Sequence, residues 1–203
     1  MNKRFGRYGI LFVISAPSGA GKTTIRDALK QTPNFRYSVS CTTRPPRAGE
    51  IEGEDYHFLT ERDFLARTKA GEFLEYAKVH DHYYGTLLQP LLNSLKEGID
   101  VLVDVDTQGA AAIRNCGDPF IRQALADVFI MPPNLEELRR RLVKRGTETP
   151  EEIEGRLATA AREMELWREY RYTIISQSME EDLQKFRHIA GAERYLSRRL
   201  IQK

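Results

Sequence analysis

The sequence predicts an α/β fold: a parallel sheet with helices on both faces, interrupted by a mostly-β insertion. Three observations carry this. Apolar, β-branched runs recur at 10–15 (ILFVIS), 98–106 (GIDVLVDVD), 126–133 (ADVFIMPP) and 172–176 (YTIIS), as strands buried on both faces require. Helical segments lie between them, the order that yields parallel strands joined by crossovers. Between 35 and 89 the texture changes to short strand-like runs, YSVSCTT, DYHFL, EFLEYAKV and HYYGT, with turn residues in RPPRAGEIEGED separating the first two.

Each element has local signals. The first strand runs into a glycine-rich loop and then KTTIRDALKQ, a helical run ending before Pro33. TERDFLARTKAG reads as a short helix with Thr60 as N-cap, Asp63 as capping-box partner and Gly71 as stop. The second core strand ends in two acids, and TQGAAAIRNC begins a helix. Pro132 and Pro133 stop the third strand. NLEELRRRLVKRG is a helix capped by Asn134 and terminated by Gly146. The next helix, TPEEIEGRLATAAREMELWREY, has Pro150 in its first turn. A helical tail begins near Met179.

The chain of 203 residues makes one large domain, or one core carrying an insertion. Its 31 basic and 29 acidic residues leave a net charge of +2, which argues against a general nucleic-acid footprint. No run approaches the ~20 apolar residues of a membrane helix. The N-terminal apolar run leads directly into a turn, so it reads as a core strand and not a signal peptide. Cys41 and Cys116 have no metal-ligand spacing and read as reduced thiols, so the expected location is cytoplasmic. His57, His80, His82 and His188 form no convincing ligand set.

The chemistry starts at FVISAPSGAGKTT (12–24). The phosphate-loop pattern is G-x-x-x-x-G-K-[ST], and Gly21, Lys22 and Thr23 fit its end, while Ala16 stands at the first glycine. Such a loop, here Ala16, Pro17, Ser18, Gly19, Ala20, Gly21, Lys22, Thr23 and Thr24, points backbone N–H groups at a nucleotide phosphate. Lys22 is expected on the β- and γ-phosphates and the Thr23 hydroxyl directly on Mg²⁺. Ala16 suits the loop if the position requires only a small side chain. Asp104 and Asp106 follow at the end of the second core strand, where alternation puts both carboxylates on one side. One is expected to hold a water of the Mg²⁺ shell and the other to face whatever sits opposite; acids at strand ends also cap turns.

The insertion carries candidates for an acceptor. Arg44 and Arg47 flank Pro45 and Pro46, which stiffen the backbone between two guanidiniums suited to phosphate. Tyr56 and Tyr84 supply hydroxyl donors. Glu75, amid apolar residues, can accept both N1–H and the 2-amino group of guanine, a donor pair that adenine lacks. Ser40 and Thr86 add hydroxyls. On spacing alone, these residues equally suit a solvated basic turn, two core tyrosines and an exposed strand acid.

Together, SAPSGAGKTT, SVSCTTRPPRAGE, GEDYHF, EFLEYA, YYGT, DVDTQG and RRLVKRGTET resemble the guanylate kinase family in order and approximate spacing, over residues 9–195. That family's loop begins with Ala, which makes Ala16 a marker. The resemblance implies a P-loop NTPase-type sheet in three parts: a CORE of 1–34, 90–135 and 170–203, a GMP-binding insertion of 35–89, and a LID with adjoining helices at 136–169. It implies transfer of the γ-phosphoryl of Mg·ATP to GMP, with dGMP left open as a further acceptor and neither nucleic acid nor membrane as partner. Carried over by motif, Ser40, Glu75 and Thr86 read guanine, and Arg44, Arg47, Tyr56 and Tyr84 hold the GMP phosphate. Asp104 belongs to the metal–phosphate region, bound through water, and Asp106 to GMP positioning. Lys22, Arg145, Arg156 and Asp104 act on the transferring group, and Arg141 lies against adenine. Thr86 replaces a serine common in the family. YTIISQS stands where the family shows IVNDD, so Ser176 and Gln177 replace Asn and Asp and leave the donor base open, GTP included. Two other readings share the fold: a non-catalytic phosphopeptide-binding domain and a ribosyl-phosphate kinase. The intact loop with Lys22 and Thr23 opposes the first, and Glu75 with Ser40 and Thr86 opposes the second.

Overall fold

The structure is a computed structural model. It describes residues 5–18, 20, 22–30, 35–79, 81–146 and 148–202, except for the side chains of 23–25. The chain forms β1 (Phe5–Arg7), β2 (Leu11–Ser15), α1 (Lys22–Lys30), β3 (Arg36–Tyr37), β4 (Cys41–Thr42) and β5 (His57–Phe58). Then come α2 (Glu61–Lys69), β6 (Phe73–Val79), β7 (His82–Leu87), α3 (Leu88–Lys96), β8 (Val101–Asp104), α4 (Thr107–Arg114) and α5 (Pro119–Ala124). The last are β9 (Leu125–Met131), α6 (Leu135–Arg145), α7 (Pro150–Met164), β10 (Tyr172–Ile175), α8 (Met179–Arg194) and β11 (Leu200–Gln202).

The main sheet runs β10–β9–β2–β8–β3, every pairing parallel. Alternation along the central strand builds a core on each face. Ile10, Phe12 and Ile14 join Leu29 of α1 and Phe186 of α8 in one cluster. Leu11 and Val13 join Leu91 and Leu95 of α3, Ile113 of α4 and Ile121 of α5 in the other. Full burial of each such side chain contributes roughly 1.5–3 kcal/mol, so both faces are fixed by hydrophobic burial. Consequently the loop after β2 and the acid ending β8 emerge side by side at the carboxyl edge of the sheet, where open α/β folds place ligands.

A second sheet, β5–β4–β7–β6, stands apart from the first. Its base is aromatic: Phe64 of α2 stacks on Phe73 at 4.5 Å and on Tyr83 at 5.3 Å between ring centroids. A register shift between Phe73 and Glu75 brings Glu75 directly opposite Thr86 on β7. β-Bulges re-aim side chains in this way beside binding sites. β3, within the 35–89 segment set out from sequence, hydrogen-bonds to β8 in the main sheet.

α6 and α7 share their own cluster of Leu138, Leu142, Ile153, Leu157 and Ala160. Asn134 caps α6 by accepting from Glu137 N at 2.8 Å, and Gly146 ends it at φ 65°, a left-handed turn that glycine adopts without penalty. Thr149 and Glu152 form a reciprocal capping box on α7.

Some sequence expectations are corrected. The second core strand spans only Val101–Asp104, so Asp106 lies past its end as the N-cap of α4. Asp63 bonds the Thr60 hydroxyl, not the Thr60 backbone N–H that a capping box requires. α3, α5 and the antiparallel β1–β11 ribbon were not expected.

Candidate active site

The phosphate loop sits between β2 and α1. Ala16 and Ala20 are buried within the core cluster of α1 and α8, so the small side chain at the position usually held by glycine packs against core. Ala20 N donates to Pro17 O at 3.1 Å, closing the turn. Gly19 and Gly21, and the side chains of Thr23 and Thr24, lie outside the described residues. The Lys22 ammonium donates to Val105 O at 2.6 Å and lies 2.6 Å from Asp104 Oδ1. The latter is an ion pair without hydrogen-bond alignment, since Asp104 Oδ1 is buried with no hydrogen-bond partner.

The small sheet carries a second polar group. The Thr86 hydroxyl, fully buried, donates to Glu75 Oε1 at 2.6 Å. Glu75 itself is only 7% exposed. Burial, reinforced by the Asp106 carboxylate, pushes its carboxyl up to about 7, although the Thr86 bond and Lys22 pull the other way. A buried acid so perturbed marks a binding site when geometry agrees. The geometry is specific, because α4 meets β6 here. A Cβ on Gly109 would lie 3.1 Å from Glu75 Oε2 and 3.4 Å from Asp106 Oδ1. Asp106 accepts from Gly109 N at 2.7 Å, which places both carboxylates at the first turn of α4.

Arg44, Tyr56 and Tyr84 come together: Arg44 lies over the Tyr56 ring at 5.5 Å, and that ring meets Tyr84 edge-on at 6.0 Å. Ser40 is partly buried, and its carbonyl accepts from His57 N. Arg47 is exposed. Glu50, which sequence reasoning passed over, organises this segment. It accepts from Arg44 Nη1 at 3.0 Å, Arg44 Nη2 at 2.8 Å and Arg47 N at 2.7 Å. Arg44 and the Arg47 amide hold its carboxyl down at about 2.

The arginines of α6 and α7 divide. Arg141 donates to Glu137 at 2.7 Å, to Ser176 Oγ at 3.1 Å and to the carbonyls of Ser176 and Gln177. Together with Asn134 and Arg140 these residues line an open cleft of about 370 Å³. Arg145 is exposed, and Arg156 pairs with Glu148 at 3.6 Å, so neither is brought to the Lys22–Asp104 pair. Two further residues escaped sequence reasoning. Glu163, near the end of α7, accepts from Ser18 N at 2.8 Å and from Thr107 Oγ1 at 3.5 Å, tying α7 to the phosphate loop and to α4. Arg26 of α1 lies 3.7 Å from Asp104 Oδ2. Neither belongs to a motif, so no sequence signal marked them.

Among the described residues no group of three or more His, Cys, Asp or Glu is placed to hold a metal ion, and no helix is long and apolar enough to cross a membrane. The arrangement is a phosphate loop with a lysine–carboxylate pair, a buried carboxylate held by Thr86, and a guanidinium beside two tyrosines. The guanylate kinase family model matches residues 8–193. Guanylate kinases of Chelativorans sp. and Caldanaerobacter subterraneus are 44% and 43% identical over 189 residues, covering 93% of this chain and 85% and 89% of theirs. The crystal structure of guanylate kinase from Anaplasma phagocytophilum matches with TM-score 0.78 at 33% identity, over 98% of this chain and 93% of that one. A gluconokinase from Sinorhizobium meliloti, at TM-score 0.50 and 18% identity, shares the fold alone. The chain belongs to the guanylate kinase family.

Proposed function

We propose that the chain transfers the γ-phosphoryl group of ATP to GMP, giving ADP and GDP. The observation that carries this reading is the Glu75–Thr86 pair, a buried carboxylate with one oxygen already bonded, within electrostatic reach of Lys22 and Asp106. Glu75 accepts guanine N1–H and the 2-amino group, with Ser40 and Thr86 supplying hydroxyls and Asp106 positioning the base. Adenine has an unprotonated N1 at the same place and leaves the carboxylate without its donor. Arg44, Arg47, Tyr56 and Tyr84 hold the GMP phosphate, for which Arg44 exchanges or shares its bonds to Glu50.

An oxygen of the GMP phosphate attacks the γ-phosphorus as the bond to the ADP oxygen breaks. The attacking oxygen is already anionic, so the protein supplies position and charge rather than a base. Lys22 moves from Val105 O and Asp104 onto the phosphates. Arg145 and Arg156 reach the transferring group only if residues 136–169 act as a closing LID over a CORE of 1–34, 90–135 and 170–203, with 35–89 as the acceptor-binding part. Arg141 lies against the donor base beside Ser176 and Gln177. The residues fit a divalent ion carried by ATP: Asp104 Oδ1, buried and without a hydrogen-bond partner beyond its ion pair with Lys22, would accept from a metal-bound water once Lys22 moves onto the phosphates, and Thr23 would be the direct ligand. Mg²⁺ uses one or two protein groups plus substrate phosphates in such sites, and supplies charge neutralisation when bound. Incubation with ATP and, separately, GMP, dGMP, AMP, UMP or ribose 1,5-bisphosphate, with products separated by chromatography, tests the reading. GDP formed from GMP and little product from AMP, UMP and the ribose ester is expected. Equal use of AMP, or no turnover with any acceptor, contradicts it.

A further inference from the structure

Arg26 belongs to no phosphate-binding motif, yet its guanidinium enters the catalytic cleft. Nε and Nη2 both lie on Asp27 Oδ1, at 2.9 and 2.8 Å. Asp27 is half exposed, whereas the Arg26 side chain is only 20% exposed. A surface ion pair gains little from burying its cation, so the burial points to another purpose. With Nε and Nη2 held by Asp27, Nη1 is the end that faces inward, 3.7 Å from Asp104 Oδ2. Asp104 is therefore flanked by two cations, Lys22 on one oxygen and Arg26 on the other. Arg26 also interacts electrostatically with Tyr37 and Tyr56. Tyr56 in turn touches Arg44 and Tyr84. The guanidinium thus lies along the seam between the loop lysine and the acceptor-phosphate residues. Two polyanions must approach there, and a fixed cation lowers the cost of that approach and of the spreading charge in transfer.

We propose that Arg26 is a third phosphate-facing guanidinium, reaching the GMP phosphate from α1 in addition to Arg44 and Arg47. Asp27 is its orienting carboxylate, since it fixes one side of the planar fork and leaves Nη1 for the cleft. This rests on the GMP kinase reading above and names a further substrate-binding group for it.

The test uses the full chain as wild type, Arg26→Met, which keeps the apolar stem, and Arg26→Lys, which keeps charge without the fork. GMP Kd by calorimetry, Kd of a non-hydrolysable ATP analogue, steady-state kinetics and thermal midpoint are measured for each. Loss of a charge-assisted phosphate contact predicts a ~10–100-fold fall in kcat/KM for GMP in Arg26→Met, with weakened GMP binding. Arg26→Lys should recover part of the loss, and the ATP-analogue Kd should stay within about twofold of wild type. A folded Arg26→Met with wild-type GMP Kd and kcat/KM overturns the inference. Should Arg26→Met lose its cooperative thermal transition, Arg26→Lys decides. A weaker GMP Kd with an unchanged analogue Kd then supports the assignment, and wild-type values for both overturn it. Wild-type protein that makes no GDP removes the kinase reading itself, a failure visible before any variant is compared.

Discussion

Replacing Gly109 by alanine separates recognition of the base from stability of the fold. The added Cβ would lie 3.0 Å from Val105 Cβ, 3.1 Å from Glu75 Oε2 and 3.4 Å from Asp106 Oδ1. To reach ordinary contact the Glu75 carboxylate must retreat by a few tenths of an ångström, and Thr86 holds its other oxygen at 2.6 Å. Gly109 is the third residue of α4 and has no left-handed backbone. Alanine there therefore gains about 0.5–1 kcal/mol of helix propensity, which offsets part of the contact cost. Stability should change little. Binding should not be spared, because hydrogen bonds to a charged acceptor contribute about 1.5–3 kcal/mol each. Misplacing the acceptor of two such bonds should forfeit about 1–2 kcal/mol, or roughly 5–30-fold in Kd for GMP. Titration calorimetry with GMP, beside a thermal melt and an ATP-analogue Kd, reads all three quantities. A Gly109→Ala protein that binds GMP as wild type does would refute the placement of guanine at Glu75.

The remaining predictions test other parts of the site. Glu75→Gln should cost about 1–3 kcal/mol of GMP binding, because its amide N–H₂ opposes a guanine donor, and should narrow the preference for GMP over AMP in the acceptor assay. Ionised Glu75 is the form that accepts from guanine. With its carboxyl near 7 in the free protein, binding releases a proton, and GMP Kd should worsen as pH falls below about 7, approaching tenfold per unit. The nucleotide's own phosphate titrates near 6, so the part of the pH dependence that vanishes in Glu75→Gln is the part that checks the claim. Lys22→Ala should lower kcat by about 10²–10³-fold, as loss of a charge on the transferring group does, while GMP Kd stays near wild type. Glu163→Ala frees the Ser18 N–H from α7 and should raise KM for ATP several-fold, with GMP Kd unchanged; equal effects on both nucleotides would point to general loosening.

The core of the fold was legible because burial leaves a periodic trace. Ile10, Phe12 and Ile14 face one cluster while Leu11 and Val13 face the other, and the caps Asn134 and Gly146 sit where turn chemistry placed them. α3 was missed because Pro90 looks like a breaker, yet it falls in the first turn, where an N–H has no helical partner to lose. α5 carried the opposite signal, Asp118 as N-cap before Pro119, but spans little more than one turn. Motif reading named Lys22 with Asp104, and Arg44 with Tyr56 and Tyr84, which the fold brings together, but also Arg145 and Arg156, which stay apart; the Glu75–Thr86 pairing follows from a register shift that no local pattern encodes. Glu50, Glu163 and Arg26 were not legible. Glu50 closes a local turn on Arg44 and the Arg47 amide that no motif names, Glu163 reaches Ser18 from 145 residues away, and Arg26 reaches Asp104 across the sheet edge. Charged residues on helices read by default as a solvated surface.

The most direct measurement is a crystal structure with GMP and a non-hydrolysable ATP analogue bound together. The guanine edge is expected on Glu75, the GMP phosphate among Arg44, Arg47, Tyr56 and Tyr84, and the analogue's phosphates on the loop and Lys22. Guanine bound away from Glu75, with that carboxylate still closed on Thr86 alone, would contradict it.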